Sequence, residues 1–129
     1  MYSLPQEIEV WYIIPAIRKE LAKLLTDKYD LSYEKSGDIL GISKAAVSQY
    51  LSNKRANKIE LSDEIKEEVR KSCDIISKNP LTAVNEIQKI LGIMKVKRDS
   101  CLVCKKYNKG VIKYCNSTPT YHVATPIAR

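Results

Sequence analysis

Two glycines four positions apart, Gly37 and Gly41, constrain this chain more than any other feature, because the residues around them ask for a backbone that other side chains resist. They lie in the stretch Tyr33 to Tyr50, YEKSGDILGISKAAVSQY. Its pattern predicts two short helices that cross steeply, and such a crossing needs a small residue on the first helix, which Gly37 supplies. The turn between them needs a residue that takes positive φ without steric cost, and Gly41 stands there. Ser43 follows as an N-cap for the second helix, its hydroxyl able to accept from a free amide two or three residues later. Ile39, Leu40, Ile42, Val47 and Leu51 are the apolar positions that pin the pair together. Ser36 departs from this pattern, occupying a place where an aliphatic core residue is expected, and predicts looser packing there.

On this register the second helix turns Lys44, Ala45, Ser48 and Gln49 outward. Those side chains are short or hydrogen-bonding, as a helix that reads base edges in a DNA major groove requires. An ordinary helical hairpin would carry the same glycines and leucines. The segment after the helix favours DNA: Asn53, Lys54, Arg55, Asn57 and Lys58 follow at once, and no acidic residue occurs between Asp38 and Glu60. Cations and amides beside a reading helix suit phosphate contacts. The expected DNA-binding residues are Ser43, Lys44, Ala45, Ser48, Gln49, Asn53, Lys54 and Arg55. Lys44, Ser48 and Gln49 would read bases, with Lys54 and Arg55 on the backbone.

The string GISKAAVSQYLSNKR, with PAIRKELAKLL upstream, resembles the archaeal branch of the Xre/Cro-like helix-turn-helix regulators. The resemblance covers residues 5–58 and thins beyond them to a helical spacer and a cysteine-bearing tail. It implies a Cro-like all-α DNA-binding bundle and sequence-specific regulation of transcription. A dimer on a palindromic operator in double-stranded DNA follows from the two-fold symmetry such proteins share with their sites.

Charge and length fit these expectations. The net charge of +7 favours an anionic partner. It is carried by the tail: acids and bases cancel from Met1 to Met94, whereas Lys95 to Arg129 holds Lys95, Lys97, Arg98, Lys105, Lys106, Lys109, Lys113 and Arg129 against Asp99 alone. The 129 residues predict a DNA-binding unit over 1–60, a helical extension and possible dimerisation region over 61–94, and a basic cysteine-containing tail over 95–129. Pro5 to Tyr29 reads as one long helix or two separated near Pro15, with Val10, Ile13, Ile14, Ile17, Leu21, Leu24 and Leu25 at helical spacing. Trp11, Tyr12 and Tyr29 read as core or dimer-interface residues. A helix from Ser62 to about Ser77, with Asp63 and Glu64 in its first turn, stops before Pro80. A last helix runs from Leu81 to Leu91, with Leu81, Val84, Ile87, Ile90 and Leu91 inward, and Gly92 closes it.

No apolar run is long enough for a transmembrane helix, and Glu7 and Glu9 replace the basic start of a signal peptide, so the expectation is a cytoplasmic protein without a membrane partner. Its cysteines are then expected reduced, and metal or redox chemistry is favoured over structural disulfides. Cys101 and Cys104 form a C-x-x-C pair that would bite one metal from a tight turn, and Cys115 follows, with Tyr107, Asn108 and Gly110 reading as a hairpin or loop between. Cys73 or His122 would complete four ligands. A single C-x-x-C knuckle with isolated cysteines favours an iron-sulfur cluster of the 4Fe-4S type, with Cys73, Cys101, Cys104 and Cys115 as metal ligands. A structural zinc ion is the alternative, as is a metal-free thiol-disulfide switch. Cys73 is also read as a small buried hydrophobe. An enzyme is not expected, because one histidine and no glycine-rich phosphate loop leave no acid, base and nucleophile set.

Overall fold

The computed structural model describes residues 3–108 together with Gly110 and Cys115. All regular structure among these residues is helical. The chain opens with α1 (Pro5–Ile8), passes through a π-helical segment (Glu9–Ile13) and continues without a break into α2 (Ile14–Asp27). Pro15 therefore does not separate two helices; it stands in the first turn of α2, directly after the π-helical segment. A proline lacks the amide that would bond to the preceding turn, and its ring crowds the carbonyl four residues back. The wider π turn immediately upstream relieves both, and Ile14 N donates to the Glu9 carbonyl instead.

That turn also rotates the apolar stripe. Ile8 and Ile13, five residues apart, are both fully buried, the spacing at which a π turn stacks side chains. Val10, expected inward from α-helical spacing, is instead 59% exposed, and Trp11, expected in a core or interface, is 53% exposed. Beyond the turn ordinary periodicity resumes, with Ala16, Ile17, Leu21, Ala22 and Leu25 buried.

The helices α3 (Tyr33–Leu40) and α4 (Lys44–Leu51) form the pair that the two glycines predict. Ser32 caps α3, its hydroxyl accepting from Lys35 N at 3.0 Å. The turn bends at Gly41, whose φ is 74°, and Ile42 N closes it by donating to the Gly37 carbonyl at 2.9 Å. Ser43 caps α4 through Ala46 N at 3.0 Å. Leu40 and Val47 are buried, while Ile39, Ile42 and Leu51 are half-buried against the same core. Ala46 and Tyr50, not expected there, are buried too. Ser36 lies wholly inside, and its hydroxyl finds no hydrogen-bond partner among the described residues.

Helix α5 (Asp63–Lys78) is capped by Ser62, which accepts from Ile65 N at 3.2 Å. It lays Ile65, Val69, Ser72, Cys73 and Ile76 inward. Asn79 stops it and caps a single 3-10 turn (Pro80–Thr82), its side chain accepting from Leu81 N at 3.3 Å. Helix α6 then spans Ala83–Val96. It begins later and ends later than its sequence predicts: Leu81 is 91% exposed in the 3-10 turn, Val84 faces outward, and the helix runs through Gly92. Glycine inside a helix costs about 1 kcal/mol relative to alanine. Burial of Met94 beyond it stabilises by more than that. One apolar core runs from Ile8 through Leu61 and Ile65 to Cys104, so all three segments expected from the sequence contribute to it.

Candidate nucleic-acid interface and the cysteine helix

The caps and the core fix which face α4 shows to solvent. With Ala46, Val47 and Tyr50 buried, Ser43, Lys44, Ala45 and Ser48 are exposed and Gln49 is half-exposed. The helix closes through its own C-terminus: the Gln49 carbonyl accepts from Lys54 N at 2.9 Å and from Arg55 N at 3.3 Å. Those amide bonds set where the Lys54 and Arg55 side chains leave the loop, both exposed. Asn53 and Ala56 both take left-handed backbone, with φ of 63° and 58°. Side chains hold this strained loop. Asn57 Nδ2 donates to the Asn53 carbonyl at 3.2 Å, and Lys19, from α2, donates to Asn53 Oδ1. Lys19 is not marked by the sequence, since nothing in its own helix distinguishes it. It adds a fifth cation to Lys44, Lys54, Arg55 and Lys58, and the chain carries no acidic residue from Ile39 to Ile59.

The C-x-x-C pair does not lie in a tight turn. After Arg98, whose φ is 62°, the chain enters α7 (Asp99–Tyr107), and Cys101 and Cys104 stand one turn apart on it. Asp99 in its first turn and Lys105 and Lys106 in its last complement the helix dipole. Tyr107 ends the helix rather than opening a hairpin, and Asn108 is buried. Cys101 is half-buried and Cys104 is 8% exposed. Burial pushes the Cys104 thiol above its ordinary range. Glu9 is itself paired with Lys95 at 3.5 Å.

Cys73 sits elsewhere, on the inward face of α5 and 1% exposed. Burial raises its thiol to about 11, with the Lys28 ammonium opposing. Among the described residues no three of His, Cys, Asp and Glu are grouped so as to hold a metal ion. Cys101 and Cys104 share α7, whereas Cys73 lies on α5 and does not group with them as the expected metal ligand. His122 lies outside the described residues.

Besides the burial of Cys104, contacts of Tyr107 and Asn108 fasten α7 to the rest of the molecule. Tyr107 stacks on Tyr12 of the π-helical segment, with centroids 4.2 Å apart and planes inclined by 13°. Asn108 pairs with Ser3 twice, accepting from Ser3 N at 3.1 Å and donating to its carbonyl at 2.7 Å. The Tyr107 hydroxyl donates to the Lys58 carbonyl at 2.5 Å, reaching the loop that follows α4. The cysteine helix thus touches the basic loop directly.

No helix among the described residues is long and apolar enough to cross a membrane. Protein-family models, curated proteins and solved structures contain no match to this chain.

Proposed function

We propose that the chain is a sequence-specific DNA-binding regulator of transcription, with α3 and α4 as a helix-turn-helix and α4 as the reading helix. The observation that carries this reading is the face of α4: its outward residues are Lys44, Ala45, Ser48 and Gln49, and the loop beyond offers Lys54 and Arg55 with no acid in that stretch of chain. Short and amide side chains reach base edges, and cations at the rim neutralise phosphates. A symmetric dimer would place two such helices in successive major grooves of a palindromic site.

The tail supplies the signal-responsive part in this reading, through Cys101, Cys104 and Cys115. An iron-sulfur cluster or a zinc ion would draw on these three, with a fourth ligand supplied from elsewhere in the chain. Iron, sulfide and zinc analysis of protein purified without oxygen decides the metal question.

Selection of bound duplexes from a randomised pool tests the DNA reading. A recurring motif, bound with an affinity that falls steeply as salt rises, is expected. No enrichment, or binding without salt dependence, would falsify it.

A further inference from the structure

We infer that Cys101 and Cys104 form a reversible disulfide that loosens the basic loop after α4, acting through Tyr107. Its consequence for affinity rests on the DNA-binding reading, whereas the chemistry and the loop response are independent of that reading and require only that Cys101 and Cys104 hold no metal.

Geometry makes the disulfide a mechanical event. Residues three apart on a helix hold their Cβ atoms about 5–6 Å apart, whereas a disulfide needs about 3.5–4.5 Å. Closing the bond must therefore tighten or rotate the turn from Cys101 to Cys104. The start of that turn yields easily: Arg98, at the N-cap, is left-handed and makes no side-chain cap. Its far end is coupled to the residues beyond it. The Cys104 carbonyl accepts from Asn108 N at 2.7 Å, and Tyr107 stands one turn beyond Cys104. Rotation of Cys104 moves the hydroxyl that holds Lys58.

The loop on the receiving side is poised to respond. Asn53 and Ala56 hold left-handed backbone without being glycine, a conformation that persists only while surrounding contacts enforce it. The Lys19 and Asn57 bonds hold Asn53, and Tyr107 pins the same loop farther along, at the Lys58 carbonyl. Without that pin, the loop that carries Lys54 and Arg55 relaxes.

The exchange balances with a low-molecular-weight disulfide, RSSR, as oxidant. The thiolate of Cys101, the more exposed of the pair, attacks one sulfur. The S–S bond breaks and one thiolate leaves to take up a proton. The Cys104 sulfur then attacks the mixed disulfide at Cys101 and expels the second thiolate, which takes the Cys104 proton. Two protein thiols become one disulfide as RSSR becomes two RSH.

The test uses the full chain with oxidised glutathione, and with a fluorescent duplex selected from the randomised pool by reduced protein. Expected are a mass loss of two hydrogens mapping to a Cys101–Cys104 peptide, affinity lower by about tenfold, and faster hydrogen exchange at the Lys54 and Arg55 amides, all reversed by dithiothreitol. Cys101→Ser should show the same affinity with and without oxidant. Tyr107→Phe, which keeps the ring stack and removes the hydroxyl, should bind more weakly when reduced and respond little to oxidation. The inference is overturned if the disulfide joins other cysteines, if the thiols do not react because they hold a metal, if exchange in the loop is unchanged, or if Tyr107→Phe responds as fully as the parent. Should reduced protein bind no duplex, the DNA reading fails, while loop exchange still decides the coupling.

Discussion

Gly37 lies so close to Ile42 that a Cβ on Gly37 would stand 2.6 Å from the Ile42 carbonyl oxygen. The same Gly37 accepts from Ile42 N through its own carbonyl at 2.9 Å, so backbone meets backbone where α3 hands over to α4. Gly37→Ala forces the two segments apart, and neither partner is a side chain that can swing away. A fall of about 2 kcal/mol in unfolding free energy is expected, together with weaker DNA binding because α4 shifts. Denaturant melts and duplex titrations check both; unchanged stability would mean that the crossing opens at little cost.

Ser36, next to Gly37, predicts the opposite sign. Its hydroxyl is enclosed without a partner among the described residues, and an unsatisfied buried polar group costs about 1–3 kcal/mol. Ser36→Ala removes the group, and alanine is the better helix former. A gain of about 1 kcal/mol in stability is expected from the same melts.

The helical pair was legible because its determinants are local. Gly41, Ser43 and the apolar spacing act within a few residues of one another, and the structure places them as that spacing requires. The π turn was not legible, because the position that absorbs Pro15 depends on which residues the core accepts, and burying Ile8 with Ile13 excludes Val10. The C-x-x-C pair was misplaced for a related reason. Cys101 and Cys104 suit a metal knuckle or a helix equally well, and the choice is made by Tyr107 and Asn108, whose partners Tyr12, Lys58 and Ser3 are distant in sequence. Gly92 misled because a glycine ends a helix only when no burial beyond it opposes the stop.

Cys73 gives the fold a pH signature. Its thiol rises from 9.0 to about 11 on folding. Between these values the unfolded chain loses a proton that the folded chain keeps, so stability is fully present below about pH 9 and declines toward pH 11. The decline attributable to this group is about 2 kcal/mol. Cys73→Ala should be less stable at neutral pH because of the small cavity it leaves, yet flatter over the alkaline range. Urea midpoints of the two proteins at successive pH values test this, and parallel curves would contradict it.

Tyr12 bears on how α7 is held. Its ring is the floor on which Tyr107 stacks, and an aromatic pair contributes about 0.5–1.5 kcal/mol beyond its buried area. Tyr12→Leu keeps much apolar bulk and removes the stack. Overall stability should fall by about 1 kcal/mol, while exchange at α7 amides rises more than at α5 amides. Uniform change across both helices would mean that α7 does not open separately.

The two halves of the proposed DNA face should separate under salt. Gln49 stands on the outward side of α4, where it can pair with a base edge, and a good pair of that kind discriminates by about 1–3 kcal/mol. Lys54 is exposed on the loop, where it can neutralise a phosphate irrespective of sequence. Gln49→Ala should therefore reduce affinity for the selected motif, leave affinity for unrelated duplex unchanged, and keep the slope of log affinity against log salt. Lys54→Ala should weaken both duplexes alike and make that slope shallower by about 0.9 for each phosphate it no longer neutralises. Each slope comes from titrations of one fluorescent duplex at several potassium chloride concentrations. If Gln49→Ala lowers both affinities equally, Gln49 does not read a base and the proposed role of α4 as the reading helix fails.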